Sequence, residues 1–415
     1  MDATTAIQGI QVIQTAFSVL SGLQWTAILF PEQAQIQDGD CFDFIIVGAG
    51  SAGSVVANRL TENKDVTVLL IEAGGDPPIE SVVPAAFQYL KNTNNDWNYI
   101  TQDDGYSEQH HKNNGTAWTR GKMLGGSSSI NFMVYTRGNK YDFDNWAAIT
   151  GDESWNYENT LPYFKKSERL VDPVLQEFDA GVFHGTDGYL GTIRYYTEEG
   201  KKLLDAFKEA GHKIVLDTNG DTPVGYTEST ATIADGLRQS TSVAFLRPIK
   251  NRPNLFVLKN TLVSKILFDD ENNAIGVEAI LENNETVSFN AKKEVIVSGG
   301  AINTPQLLML SGIGPKKHLH SHEINVISDL PVAQALIDHV MVFTLQTMGP
   351  STSEPVDPTS FPVPLIMGYT SMNESETIPN YQTFNFVMPE PTPMLQFCTY
   401  FSFEDEICNE LYDGS

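Results

Sequence analysis

The sequence predicts an α/β protein, α+β overall, in which a parallel sheet continues into an antiparallel meander. The first indication is residues 41–72, which follow the order strand, glycine turn, helix and strand of a βαβ unit. The second is residues 254–291, where three short segments alternate apolar and polar side chains between Asn-containing turns. The third is the apolar run at 294–297, which leads through two glycines toward a helix.

The βαβ unit begins with a predicted strand at Phe44–Val47. This short apolar run is rich in β-branched residues, which is typical of a strand buried on both faces. A helix of small residues is predicted at 54–60, and a second buried strand at 66–71. Further along the chain, the stretches 155–170 and 200–210 have the pattern of amphipathic helices.

The meander is predicted from three alternating segments whose turns are supplied by Glu271–Asn273 and Glu282–Asn284. Beyond it, Glu294–Val297 is predicted as a further buried strand. A helix should follow, with Thr304 as its N-cap and Pro305 at its first position. The three segments are Leu262–Phe268, Ala274–Ile280 and Thr286–Asn290.

The composition indicates a globular protein with an acidic surface. The chain has 415 residues, 41% of them hydrophobic, which suits two domains with a sizeable core. Lys and Arg number 26 against 52 Asp and Glu, so the formal net charge is −26. Such a surface repels phosphate backbones and anionic membranes, so we expect no nucleic-acid partner and a neutral or cationic substrate. We also expect no membrane span, because no segment approaches the necessary continuous apolar length.

The cysteines and sequons bear on localisation. The odd count of three, Cys41, Cys398 and Cys408, predicts free or buried thiols, and a Cys398–Cys408 disulfide is the alternative for a secreted chain. An extracellular, secreted protein is one expectation, and a soluble intracellular protein is the other. Acceptor sequons for N-glycosylation begin at Asn114, Asn284 and Asn373.

The N-terminal forty residues are open to two interpretations. Residues 7–30 are moderately apolar but contain several Gln residues and lack the positive flank of a signal peptide. An atypical leader and a short helix packed on the fold both agree with this pattern.

The strongest motif is the run Gly48-Ala49-Gly50-Ser51-Ala52-Gly53 between the first strand and its helix. It fits the Rossmann-like dinucleotide fingerprint, in which the glycines make the turn, admit a pyrophosphate and allow close helix–strand packing. Glu72 ends the second strand, about 20 residues further on, where an acid accepts hydrogen bonds from the adenosine ribose. This motif suits FAD or NAD and disfavours NADP.

A second motif favours FAD over a nicotinamide cofactor. Residues 120–131 form a glycine- and serine-rich loop, RGKMLGGSSSIN, whose backbone amides are available to a phosphate or a flavin edge. With the following FMVYTRG at 132–138, it closely resembles the first signature of the glucose-methanol-choline (GMC) oxidoreductases. The stretch 300–314, GAINTPQLLMLSGIG, is similar to the second signature of that family. The resemblance covers about residues 42–340, and the pattern is most similar to the insect branch of glucose dehydrogenase-like and ecdysteroid oxidase-like proteins.

The resemblance implies an FAD-dependent oxidoreductase that acts on CH-OH donors. The alcohol substrate would be a sugar, a steroid or another small molecule, and the electrons would pass to a quinone or to oxygen. The cofactor-binding residues that it implies are Gly48, Gly50, Ser51, Ala52, Gly53, Glu72, Ala73, Gly121, Gly125, Ser127, Asn131, Phe132, Met133, Val134 and Val263.

The resemblance also implies where the catalytic residues lie. A histidine with a second His or Asn acts on the substrate hydroxyl in this family, and we expect that pair beyond Ser415, so no catalytic residue is assigned. The alternative is a truncated FAD-binding protein without turnover. In the family a Gly-x-Asn-Leu stretch precedes an Asp-His pair, and here Ala333-Gln334-Ala335-Leu336 precedes Asp338-His339. The histidine clusters at 110–111 and 318–322 are expected to be solvated, and no metal site is predicted.

The expected domain organisation is discontinuous. Residues 1–40 form a leader or helix, 41–140 and 240–340 form the FAD-binding domain, and 141–239 with 341–415 form an incomplete substrate-binding or cap domain.

Overall fold

A computed structural model describes residues 29–179, 181–221, 224–342, 344, 365–373, 378–386, 398 and 401–413. The chain divides into two compact units. The first contains residues up to 79 together with 121–129 and 241–338, and the second contains 80–120, 130–240 and 339–415. Residues 80–120 and 130–140 therefore group with the second unit, whereas the sequence-based boundaries assigned them to the FAD-binding domain; that domain assignment stays a prediction.

The strands of the described residues are numbered along the chain. They are β1 (Cys41–Val47), β2 (Val68–Ile71), β3 (Tyr99–Ile100), β4 (Ala117–Trp118), β5 (Glu168–Leu170), β6 (Leu190–Arg194), β7 (Gly225–Glu228), β8 (Thr230–Ala231), β9 (Ile233–Ala234), β10 (Leu237–Arg238), β11 (Leu255–Leu258), β12 (Leu262–Phe268), β13 (Ala274–Ile280), β14 (Thr286–Val297), β15 (Leu365–Thr370) and β16 (Tyr381–Phe386).

The α-helices are numbered in the same way, and shorter 3₁₀ and π turns lie between them. They are α1 (Ser51–Leu60), α2 (Ile79–Val82), α3 (Lys140–Thr150), α4 (Tyr157–Ser167), α5 (Pro173–Asp179), α6 (Glu198–Glu209), α7 (Gly300–Leu310), α8 (Lys316–Ser321) and α9 (Asp405–Asp413).

A six-stranded sheet organises the first unit, in the order β11-β2-β1-β14-β13-β12. Strands β11, β2, β1 and the second half of β14 are parallel, and β13 and β12 continue the sheet antiparallel. This confirms the predicted mixed sheet. On β1, Ile45 and Val47 pack into one apolar cluster and Ile46 into another, so the strand is covered on both faces.

Two local predictions at the end of this sheet are wrong. The segments predicted separately at 286–290 and 294–297 form the single strand β14, which pairs with β13 up to Asn290 and with β1 from Asn290 onward. Helix α7 begins at Gly300 after Gly299, so Pro305 lies inside the helix and Thr304 is not its N-cap. Pro305 has no N–H for the carbonyl four residues earlier, and the helix tolerates that missing bond while Leu307 packs into the core.

The two hairpins turn at the Asn-containing segments that the sequence predicts. Asn272 has φ 64° in the β12–β13 turn and Asn284 has φ 63° in the β13–β14 turn. Asn adopts this left-handed conformation more readily than most residues, because its short polar side chain bonds locally.

The second unit contains small sheets and helices α3–α6 and α9. Strand β15 pairs antiparallel with β16 and β7, and β6 pairs with β5 and β8. Helix α3 is closed at both ends, by a capping box at Asn139 and by Gly151 with φ 68°. Asn156 accepts the backbone N–H of Asn159 and caps α4.

The N-terminal expectation falls mostly on residues 1–28, which lie outside the described residues. Phe30 is buried in the core of the first unit, and the Gln33 side chain bonds the Lys259 backbone. Within the described part of the chain, no helix is long and apolar enough to cross a membrane.

Candidate cofactor site

The predicted glycine turn connects β1 to α1. Gly48 has φ 94°, and a Cβ there would lie 2.6 Å from the Ser298 carbonyl oxygen. A Cβ on Gly53 would overlap the Gly48 carbonyl oxygen. The protein's own packing therefore requires glycine at both positions.

Gly50 differs from these two glycines. A Cβ at Gly50 would come no closer than 3.8 Å to the chain, at the Cα of Gly126. Gly50 is the N-cap of α1 and has no side chain that could accept a hydrogen bond from the first backbone amides of the helix. These amides belong to Ser51, Ala52 and Gly53. Those N–H groups have no intrahelical acceptor, and the helix dipole favours negative charge beside them.

Glu72 follows β2 and stabilises the glycine turn between β1 and α1 through hydrogen bonds. Its Oε2 accepts the backbone N–H of Ala49 at 2.9 Å, and its Oε1 accepts that of Gly74 at 3.0 Å. The side chain is buried, with the residue 6% exposed. Burial raises the pKa of the Glu72 carboxyl to about 7, while the amides of Gly74, Ala49 and Ala73 and the charge of Lys122 act in the opposite direction.

The second glycine loop packs against the first. The Gly125 amide donates to the Ala49 carbonyl at 2.7 Å, and a Cβ on Gly126 would lie 2.7 Å from the Cα of Gly50. Gly125 has φ 86°. The structure thus brings two sequence-distant glycine motifs together at one end of the sheet.

The remaining predicted residues of the first unit lie around this arrangement. A Cβ on Gly121 would overlap the Gly126 carbonyl, and the Gly121 amide approaches the Ser127 hydroxyl at 3.4 Å. Val263 is in β12 and packs in the core cluster. Just before β12, the Thr261 amide donates to the Glu72 carbonyl, so this connection runs beside the end of β2.

The predicted segment Asn131–Val134 belongs to the second unit. Met133 is fully buried with φ 60°, and its amide bonds the Asn131 side chain. The rings of Phe132 and Phe87 meet edge to face, with their centroids 4.9 Å apart. The contact of this segment with a flavin stays a prediction.

Sequence reasoning missed the side chain that holds this segment. Arg238 is fully buried, and its Nη1 donates to both the backbone and the side-chain oxygens of Asn131 at 2.8 Å. Its Nε donates to the Ser81 carbonyl at 2.7 Å. A lone Arg in a polar stretch gives no signal of this in the sequence.

A second missed feature is a buried ionic network, which we define as Arg137, Glu168, His184 and Asp217. Arg137 pairs with Glu168 at 2.5 Å, and the two His184 nitrogens lie 2.9 Å from the carboxylates of Glu168 and Asp217. Burial opposes the charged imidazolium, but the hydrogen bonds to Asp217 and Glu168 outweigh it and raise the pKa of His184 to about 9. Arg137 lies in the first signature, but its partners are distant in sequence.

The predictions for the other histidines have mixed outcomes. His318, His320 and His322 are exposed as expected. His111 is half-buried instead: its Nδ1 lies 2.8 Å from the Phe401 carbonyl, and its ring stacks on Phe403. No group of three or more metal-ligating side chains occurs among the described residues.

The expectation of free thiols is wrong for two cysteines. Cys398 and Cys408 form a disulfide, ten residues apart, in the segment that contacts His111. Cys41 is a free, exposed thiol. The odd cysteine count does not predict that Cys398 and Cys408 come together.

The chain resembles known proteins over most of its length. Residues 42–341 match the model of the GMC oxidoreductase N-terminal domain. Ecdysone oxidase of Bombyx mori is 38% identical over 404 residues, which are 92% of this chain and 60% of that protein. Glucose dehydrogenase [FAD, quinone] of Drosophila melanogaster is 40% identical over 73% of this chain and 48% of that protein.

Solved structures of other oxidoreductases are also similar to this chain. Pyridoxine 4-oxidase from Mesorbium loti is 30% identical with a TM-score of 0.64, over 70% of this chain and 55% of that one. Formate oxidase of Aspergillus oryzae is 33% identical with a TM-score of 0.62, over 71% of this chain and 51% of that one. The chain spans about half to 60% of the length of these relatives. FAD is the cofactor of the family, and it is named for the formate oxidase and for the glucose dehydrogenase. With its glycine turn, Glu72 and second glycine loop at one end of a mixed sheet, the chain belongs to the GMC oxidoreductase family.

Proposed function

We propose that this chain binds FAD at the turn 48–53 and takes part in oxidation of an alcohol. The observation that carries the proposal is the contrast among the glycines of the turn. Packing explains Gly48 and Gly53, whereas among the described residues a Cβ on Gly50 would make only an ordinary contact, 3.8 Å from the Cα of Gly126. A pyrophosphate that approaches the backbone there accounts for a glycine at that position.

The residues around this space suit the adenosine and pyrophosphate part of FAD. The first amides of α1, which have no acceptor within the helix, provide hydrogen-bond donors for the pyrophosphate oxygens. The Glu72 carboxylate retains acceptor capacity beyond its two backbone bonds, and ribose hydroxyls can use it. We propose that Ser51, Ala52, Ala73, Gly121, Gly125 and Ser127 line the same site, and that Val263 and the segment 131–134 contact the adenine and the flavin.

When bound, FAD supplies the hydride acceptor for oxidation of an alcohol. The chain's own contribution is to hold and orient the cofactor. Because the chain covers about 60% of the Bombyx mori ecdysone oxidase and less of the other relatives named above, the activity of the whole protein, its substrate and its electron acceptor, a quinone or oxygen, are proposals.

Among substrates, we propose a neutral steroid alcohol ahead of a sugar. The matches to two ecdysone oxidases, at 38% and 43% identity, cover 92% and 77% of this chain, and the match to glucose dehydrogenase, at 40% identity, covers 73%. The formal charge of −26 also agrees with an uncharged substrate.

The test is anaerobic addition of an ecdysteroid, and separately of glucose, to the FAD-loaded chain. Loss of the oxidised flavin absorbance with the steroid at a lower concentration than with the sugar supports the proposal. Equal response to both contradicts the substrate assignment. A flavin that neither alcohol reduces leaves FAD binding standing but contradicts both substrate assignments.

A further inference from the structure

Asn284 lies at the tip of the hairpin between β13 and β14. The residue is exposed, as are Glu285 and Thr286, the other two residues of its sequon. Its backbone N–H donates to the Leu281 carbonyl at 2.9 Å and closes the turn. Within the described residues its side-chain amide makes no hydrogen bond, so a substituent on Nδ2 would displace no contact.

Asn114 has the same sequon chemistry but the opposite surroundings. Its Nδ2 donates to Oδ2 of Asp103 at 2.9 Å, and the following Gly115 is buried. The Thr116 backbone N–H donates to the Thr101 hydroxyl at 2.9 Å, and the Thr116 carbonyl accepts the Thr101 backbone N–H at 3.0 Å. A substituent on Nδ2 of Asn114 would replace one of its two protons and crowd the hydrogen bond to Asp103 and the loop that Thr101 and Thr116 close.

The disulfide supplies an independent indication of compartment. A Cys398–Cys408 bond forms and persists in the oxidising environment of the secretory route and is rare in the cytosol. That route is also where Asn side chains receive oligosaccharides. The third sequon begins at Asn373, and its Ser375 lies outside the described residues.

We propose that Asn284, and not Asn114, carries an N-linked glycan in the folded chain. In this modification, Nδ2 of Asn284 forms a bond to C1 of an oligosaccharide carried on a polyprenyl diphosphate. The bond from C1 to the diphosphate oxygen breaks, polyprenyl diphosphate leaves, and the amide gives up one proton. No electron transfer is involved.

The experiment expresses the full chain in insect cells behind a heterologous secretion signal, so that entry into the secretory route is not a variable. The secreted, folded product is treated with a peptide N-glycosidase in heavy-oxygen water, and the labelled Asp residues are located by peptide mass spectrometry. We expect label at position 284 and an unmodified amide at 114. An unlabelled position 284, or equal label at both positions, overturns the proposal.

Matched variants give a second readout. Asn284→Asp keeps a residue that tolerates the left-handed conformation and should remove one glycan's mass, as should Thr286→Ala, which leaves Asn284 in place. The control is Asn272→Asp, at the equivalent position of the β12–β13 hairpin, where φ is 64° and the following residues form no sequon. It should leave the glycan mass unchanged. Loss of mass in the control, or none in Thr286→Ala, contradicts the assignment.

Discussion

The Glu72 carboxylate accepts the backbone N–H of Ala49 at 2.9 Å, across 23 residues of sequence. Through this bond, the acid at the end of β2 fixes the middle of the glycine turn that begins α1. The motif's acid therefore has a structural role before any ribose is bound. The spacing in the sequence predicted that Glu72 lies near the turn, but it did not reveal that the carboxylate is bonded to the turn itself.

Replacement of Glu72 should weaken FAD binding. Glu72→Ala strands two buried N–H donors, of Ala49 and Gly74, and removes the ribose acceptor. We expect a loss of about 1–3 kcal/mol in FAD binding free energy, measured by fluorescence titration. Glu72→Gln keeps one acceptor oxygen and should lie between wild type and Glu72→Ala. Wild-type affinity in Glu72→Ala would contradict this role.

Replacement of Gly50 should separate cofactor binding from folding. Gly50→Val places a side chain in the space we assign to the pyrophosphate, where a Cβ would come no closer than 3.8 Å to the described part of the chain. We expect a folded protein, with a thermal midpoint near wild type in the absence of FAD, that retains no flavin. Gly48→Val is the matched control and should lower the thermal midpoint as well, because its Cβ would press on Ser298. Full flavin occupancy in Gly50→Val would place the cofactor elsewhere.

The sequence predicted those parts of the fold and site that rest on local pattern. The βαβ unit follows from apolar runs around a glycine turn, and the hairpins follow from Asn272 and Asn284 between alternating segments. Its failure at Pro305 arose where the packing of Leu307 outweighed a local preference. The burial of His111 and the ionic network depend on contacts between distant residues, such as His111 with Phe401, which no local pattern encodes.

The buried ionic network should make stability depend on pH. The pKa of His184 is raised from 6.5 to about 9, so its stabilising contribution is fully present below pH 6.5 and is lost as the pH rises through 9. Urea unfolding at several pH values should therefore give a free energy that falls across this window. The difference between wild type and His184→Gln isolates the effect. A difference that does not change with pH would show that His184 is neutral in the folded chain.

Residues 333–336, which stand where the resemblance implies a Gly-x-Asn-Leu stretch, should carry a small backbone strain. Ala333 has φ 62°, a conformation that costs a residue with a Cβ about 1–2 kcal/mol. Replacement of Ala333 by glycine would relieve this cost. Glycine also gives the unfolded chain more conformational freedom, which offsets part of the relief. We expect Ala333→Gly to leave the free energy of unfolding unchanged or to raise it by up to about 1 kcal/mol. Ala335→Gly, at a neighbour without a positive φ, should lower it, and the reverse order would contradict the strain.

The central claim is that the turn 48–53, Glu72 and the second glycine loop together bind FAD. The most direct test is the visible absorbance spectrum of the purified 415-residue chain after incubation with FAD and removal of the unbound cofactor. We expect flavin bands that correspond to one FAD per chain. A folded chain that emerges without flavin absorbance would contradict it.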